Sequence, residues 1–111
     1  MATFAFIHGA AEVGWYWHLL EAELQARGHN TVALSRERGQ SDTWMAAPWP
    51  LDAWPDVPTK FGVCRDDRFF PPDFLRGLAK ERLGITADEI DGGHCAALSH
   101  PKELAAVLDT Y

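Results

Sequence analysis

Phe4-Ala5-Phe6-Ile7, closed by His8-Gly9, then the stretch from Gly14 to Arg27, then Thr31-Val32-Ala33-Leu34, decide the fold of this 111-residue chain. The first run is short and apolar with a glycine just beyond it, which reads as a buried strand ending in a loop. In the second stretch Tyr16, Leu20 and Leu24 recur every four residues, with Trp17 three before Leu20. That spacing predicts an amphipathic helix, and Gly28 is placed to cap its C-terminus. The third run is again a buried strand. Strand, helix, strand in 34 residues is a βαβ unit with parallel strands. In sheets of this kind ligands bind beyond the C-terminal strand ends, so Gly9 is expected at a functional edge.

Further along, Lys60-Phe61-Gly62-Val63-Cys64 reads as a third strand. A helix is expected from Asp73 to Leu83, stopped by Gly84, with Phe74, Leu75, Leu78, Ala79 and Leu83 on its apolar side. Ile85 to Ile90 leads into a short fourth strand. A last helix follows Ser99, which is placed as its N-cap, with Pro101 in the first turn; Leu104, Val107, Leu108 and Tyr111 form its buried face. Residues 35–58 do not fit the pattern. Ser35 to Asp42 is polar, and Pro48, Pro50, Pro55 and Pro58 exclude a long helix or central strand. This is a connector longer than the ~15 residues usual in a compact domain. It is expected to be a coil pinned to the body by Trp44, Trp49 and Trp54. The whole chain, 1–111, is one domain.

The formal charge of −6 comes without a Lys/Arg cluster, which argues against nucleic acid and against an anionic membrane surface. No run approaches the ~20 apolar residues of a membrane span. The N-terminus has no basic segment ahead of its apolar run, so a cytoplasmic protein without a signal peptide is expected. Cys64 and Cys95 are too few for a disulfide scaffold and read as reduced thiols. Their spacing relative to the histidines is not that of a zinc site, and no metal or other cofactor is expected.

Two segments carry chemistry. One is His8-Gly9-Ala10, after the first strand. The other combines Cys64-Arg65-Asp66-Asp67-Arg68-Phe69-Phe70-Pro71, after the third strand, with Asp91-Gly92-Gly93-His94, after the fourth. An imidazole accepts protons near neutral pH, and a carboxylate beside it fixes its tautomer. With Gly14-Trp15-Tyr16-Trp17, Gly28-His29 and Pro50 to Thr59, these segments resemble the α/β-hydrolase superfamily, in particular its methylesterase and hydroxynitrile-lyase branch. The resemblance covers residues 2–34 and 44–111. It implies a truncated three-layer α/β/α sandwich. Its four mainly parallel strands would form one sheet in the spatial order second, first, third, fourth.

Carried over residue by residue, the resemblance makes His94 the triad base and Asp67 the acid, with Asp66 as competitor. It gives the Ala10 backbone N–H to the oxyanion and places Gly9, His8 and Trp15 at the oxyanion turn or pocket wall. The Gly-x-Ser-x-Gly turn of the family is absent, together with the lid. Ser35, Ser41 and Ser99 stand in no such turn, and Cys64 is the better placed of the two thiols. The expected activity is therefore weak hydrolysis of small carboxylic esters by a His–Asp pair without the usual serine. The alternative is an inactive scaffold acting through homo-oligomer or protein contacts, and a third reading has another chain supply the serine. Apolar surface that absent strands would have covered points to a homo-oligomer.

Overall fold

The computed structural model describes residues 1–7, 9, 13–33 and 46–111. His8, Ala10, Ser35, Ser41 and Trp44, and with them most of the polar half of the connector, lie outside the described residues. Strand β1 (Thr3–Phe6) is followed by a 3₁₀ turn (Gly14–Trp17), helix α1 (His18–Ala26) and β2 (Asn30–Ala33). After the connector come β3 (Gly62–Cys64), α2 (Pro72–Leu83), β4 (Asp88–Ile90), the short α3 (Ala96–Ser99) and α4 (Pro101–Leu108).

Both strand–helix–strand units form parallel pairs. Phe4 lies opposite Thr31 and Phe6 opposite Ala33 in the first; Gly62 to Cys64 lie opposite Asp88 to Ile90 in the second. The expected helix from Gly14 to Arg27 is split. Its first four residues wind as 3₁₀, and the α-helix begins at His18. Tyr16 and Trp17 still pack on the core, because the tighter turn keeps them on the side of Leu20 and Leu24. Gly28, at φ 87°, takes the left-handed backbone that ends this helix. Helix α2 has Pro72 in its first turn, Asp73 near its positive end and Lys80 and Arg82 near its negative end, and Gly84 at φ 69° closes it.

The two pairs do not join. The described residues hold two separate two-stranded sheets, β1–β2 and β3–β4, not one four-stranded sheet with helices on both faces. In the expected order β1 would pair with β3, where the superfamily has further strands between them. No described strand bridges that place, so the single-sheet, three-layer expectation is corrected to two parallel pairs. Phe6 of β1, Leu20 and Leu24 of α1, Ala97 of α3 and Ala105 of α4 form one buried cluster, and α4, which packs on α1, also touches β4.

Several side chains depart from the expected pattern. Trp49 and Trp54 do not pin the connector by burial; they are more than half exposed and stack on each other. Phe74 faces solvent, leaving Ala79 as the only buried residue of α2. Tyr111 is also exposed, and its hydroxyl donates to Asp88 Oδ2 at 2.8 Å. Partial burial and that carboxylate push the phenol up to about 12. Ser99 is not the N-cap of α4. It ends α3, donates to the Cys95 carbonyl at 3.3 Å and pairs with His100 Nδ1 at 2.9 Å, and His100 occupies the cap position.

Candidate active site

The site grows out of the β3–β4 ladder. Beyond the paired strands, Arg65 N–H donates to Ile90 O at 2.9 Å and Asp66 N–H to Gly92 O at 3.0 Å. The loops that follow the two strands are thereby zipped together for two more residues. Arg65 adds ion pairs to Glu89 and Asp91, at 3.3 and 2.8 Å. Gly92 makes the turn at φ 108°, and a Cβ there would come within 2.6 Å of His100 Nδ1. Gly92 is therefore required on two counts, its left-handed backbone and the closeness of that ring.

At the mouth of this zipper His94 Nδ1 lies 3.0 Å from Asp67 Oδ2. The other carboxylate oxygen, Oδ1, accepts the backbone N–H groups of Phe69 at 2.8 Å and Phe70 at 2.9 Å. The Asp67 side chain is buried, at 6% exposure, while the His94 side chain stays 44% open. Burial by itself would raise the Asp67 carboxyl. The hydrogen bonds from Phe70 N–H, His94 and Phe69 N–H outweigh it and hold the group below its ordinary value. An ionised carboxylate only accepts, so in the neutral imidazole His94 Nδ1 carries the proton and Nε2 keeps its lone pair.

Asp66, the competing acid, is exposed and contributes its backbone N–H to the zipper. Two aromatic rings flank the imidazole, Phe69 at 5.0 Å and Phe70 at 5.6 Å between centroids. From the first half of the chain Tyr16 donates its hydroxyl to the His94 carbonyl at 3.4 Å. None of these three residues was expected beside the His–Asp pair, Tyr16 being expected only on the apolar stripe of its helix. The signal was the pair of aromatics two and three positions after Asp67, where an Asp side chain characteristically caps the backbone turn that follows it.

Trp15 is 65% exposed and stacks on His18, with centroids 4.3 Å apart. Gly9 is exposed at the end of β1, and His8 and Ala10 lie outside the described residues. Cys64 is half-buried at the end of β3; burial and then the Asp67 charge push its thiol up, which keeps it protonated and poorly nucleophilic. Among the described residues no cluster of His, Cys, Asp or Glu could hold a metal ion. No described helix is long and apolar enough to cross a membrane.

A second His–Asp pair serves as a control. His29 Nε2 sits 2.6 Å from Asp109 Oδ1, but its Nδ1 accepts the Ala2 backbone N–H at 3.1 Å. Both ring nitrogens are used in tying the N-terminal strand to the C-terminal helix. Of these two described pairs, the one at His94 leaves the second ring nitrogen without a hydrogen-bond partner among the described residues.

No curated protein and no solved structure matches the chain. Residues 34–107, which include Asp67 and His94, match the model of the alpha/beta hydrolase family. With two thirds of its length matched and its strands pairing in parallel, the chain belongs to the alpha/beta hydrolase family.

Proposed function

We propose that the chain hydrolyses small carboxylic esters weakly, with His94 as general base and Asp67 as the residue that orients it. One observation supports this above the others: the imidazole stands 3.0 Å from a carboxylate that two backbone N–H groups hold in place, with its other side open. His94 Nε2 takes a proton from a water molecule as the water oxygen bonds to the ester carbonyl carbon. The tetrahedral intermediate then expels the alkoxide, which takes that proton back from the imidazolium. Acid and alcohol leave, and the base is restored. The Ala10 N–H, assigned by resemblance, would donate to the oxyanion. The Phe69 and Phe70 rings offer an apolar rim for the acyl or alkyl group.

No covalent step is invoked, because no serine stands in a Gly-x-Ser-x-Gly turn. General-base assistance is worth about 10²–10⁴-fold, well short of what an activated nucleophile and a full oxyanion hole add. The test is hydrolysis of p-nitrophenyl acetate by the wild type, His94→Ala and Asp67→Asn, with an unrelated histidine-containing protein as background. Turnover above background that falls to it in His94→Ala is expected. Turnover unchanged in His94→Ala sinks the proposal and leaves the non-catalytic scaffold.

A further inference from the structure

At the end of β3 away from Asp67, Lys60 and Phe61 lead into the strand, and the connector folds back beside the last turns of α2. Between them lies a hollow of about 530 Å³. It is lined by the rings of Trp49, Trp54 and Phe61 and by Leu78 and Leu83. The two indoles are stacked, 6.1 Å apart and 6° from parallel. Trp54 Nε1 donates to Thr59 Oγ1 at 2.9 Å, and that hydroxyl donates to the Val57 carbonyl at 2.9 Å. The aromatic wall is thus braced by a hydrogen-bond chain. The volume lies within the ~300–1,000 Å³ usual for small-molecule sites.

Two cations stand at the rim, Lys60 and Arg82. Lys60 is engaged: its Nζ lies 5.6 Å from the centre of the Tyr111 ring. Arg82 has no ion-pair or hydrogen-bond partner among the described residues, although the chain carries a net charge of −6. An unpaired guanidinium beside an apolar hollow matches a ligand with an apolar body and a carboxylate head, which the planar fork can hold with two hydrogen bonds.

We propose that this hollow binds a monocarboxylate with an aromatic or medium-length alkyl tail, its tail against Trp49, Trp54 and Leu78 and its head on Arg82. The site is separate from His94 and independent of the hydrolytic reading. Titration calorimetry with 2-naphthoate and its neutral analogue 2-naphthylmethanol tests it. Saturable 1:1 binding of the naphthoate is expected, about tenfold tighter than the alcohol for one charge-assisted contact. In Arg82→Gln that preference disappears while the alcohol binds as before. Trp54→Ala weakens both ligands, and His94→Ala changes neither. Equal affinity for the two ligands, a preference that survives Arg82→Gln, or no saturable naphthoate binding overturns the proposal. Self-association that Trp54→Ala abolishes, without naphthoate uptake, assigns the hollow to a second copy and overturns it as well.

Discussion

Replacing Asp67 by Asn tests the orientation of His94 without changing the size of the side chain. The carboxylate makes three hydrogen bonds, two from backbone N–H groups on Oδ1 and one with His94 on Oδ2. An asparagine has two ways to sit there. With its carbonyl oxygen toward Phe69 and Phe70 it keeps both backbone bonds and turns its NH₂ toward the imidazole. The opposite orientation sets an NH₂ against two N–H donors, so the first wins. An NH₂ facing Nδ1 requires that nitrogen to accept, which moves the proton to Nε2 and removes the lone pair the chemistry needs. In a serine-protease triad the same exchange costs about 10⁴-fold; here the whole base contribution is ~10²–10⁴, so ester turnover should fall to background. Stability should fall by about 2 kcal/mol, since two bonds to a charged acceptor become bonds to a neutral one at ~1 kcal/mol each. The assay is two-bond ¹H–¹⁵N correlation of the His94 ring at neutral pH, beside ester hydrolysis and urea unfolding. An Nδ1–H tautomer persisting in Asp67→Asn, or turnover above background, would refute the reasoning.

Four further outcomes are expected. Gly92→Ala should destabilise the protein by about 1–3 kcal/mol, because a Cβ at φ 108° is strained and meets the His100 ring; chemical unfolding measures it, and an unchanged midpoint contradicts it. Trp17→Phe should be neutral or stabilising by up to ~1 kcal/mol: it keeps the stack on Phe6, at 5.0 Å, and removes an indole N–H that is buried without a partner among the described residues. Because the folded Asp67 carboxyl lies below its unfolded value, its contribution is complete above about pH 4 and is lost as pH falls through the folded value; the wild-type urea midpoint should drop more between pH 5 and pH 3 than that of Asp67→Asn, and parallel drops exclude this. Sedimentation at micromolar concentration should show a dimer or larger assembly, dissociated by Val32→Lys. The outer face of β1–β2 leaves Val32 56% exposed and Ile7 beyond it 79%, apolar surface of the kind that recruits a second copy. A monomeric wild type would refute that last expectation.

The strand and helix segments were legible because their signals are local. Phe4 and Phe6 alternate inward, Leu20 and Leu24 stack one turn apart, and Gly28 and Gly84 adopt the left-handed backbone that glycine favours. Sheet assembly was not legible, since pairing of β1 with β3 depends on chain that would have to lie between them and not on the strands' own residues. Burial at α2 was misread for a related reason: Phe74 fits the apolar stripe, yet the periodicity states only which side a residue is on, not whether another layer covers that side. Trp49 and Trp54 show the same gap, stacking on each other while more than half of each stays exposed. At the site, the two turns that meet were marked by Asp67 and by Gly92-Gly93-His94. The hold of Phe69 and Phe70 on the carboxylate was hidden because it is made by backbone N–H groups, which nearly every residue carries alike.

The meeting of Asp67 and His94 is a consequence of parallel pairing. Two parallel strands end at the same edge, so the loop after β3 and the loop after β4 emerge side by side; an antiparallel pair would send them to opposite ends. The return of the chain is made by α2, whose length is set by Pro72 at its start and the left-handed Gly84 at its end. A slip of one residue between β3 and β4 would move one loop by ~3.3 Å along the other, enough to break a 3.0 Å contact between imidazole and carboxylate. It would also turn either Val63 or Ile90 out of the interior, since a shift of one reverses the faces of the strand that slips. The burial of those two residues therefore fixes the register. The register fixes which turn residues face each other, and the glycine at φ 108° lets the imidazole approach. Packing within a three-residue ladder thus governs the chemistry available just beyond it.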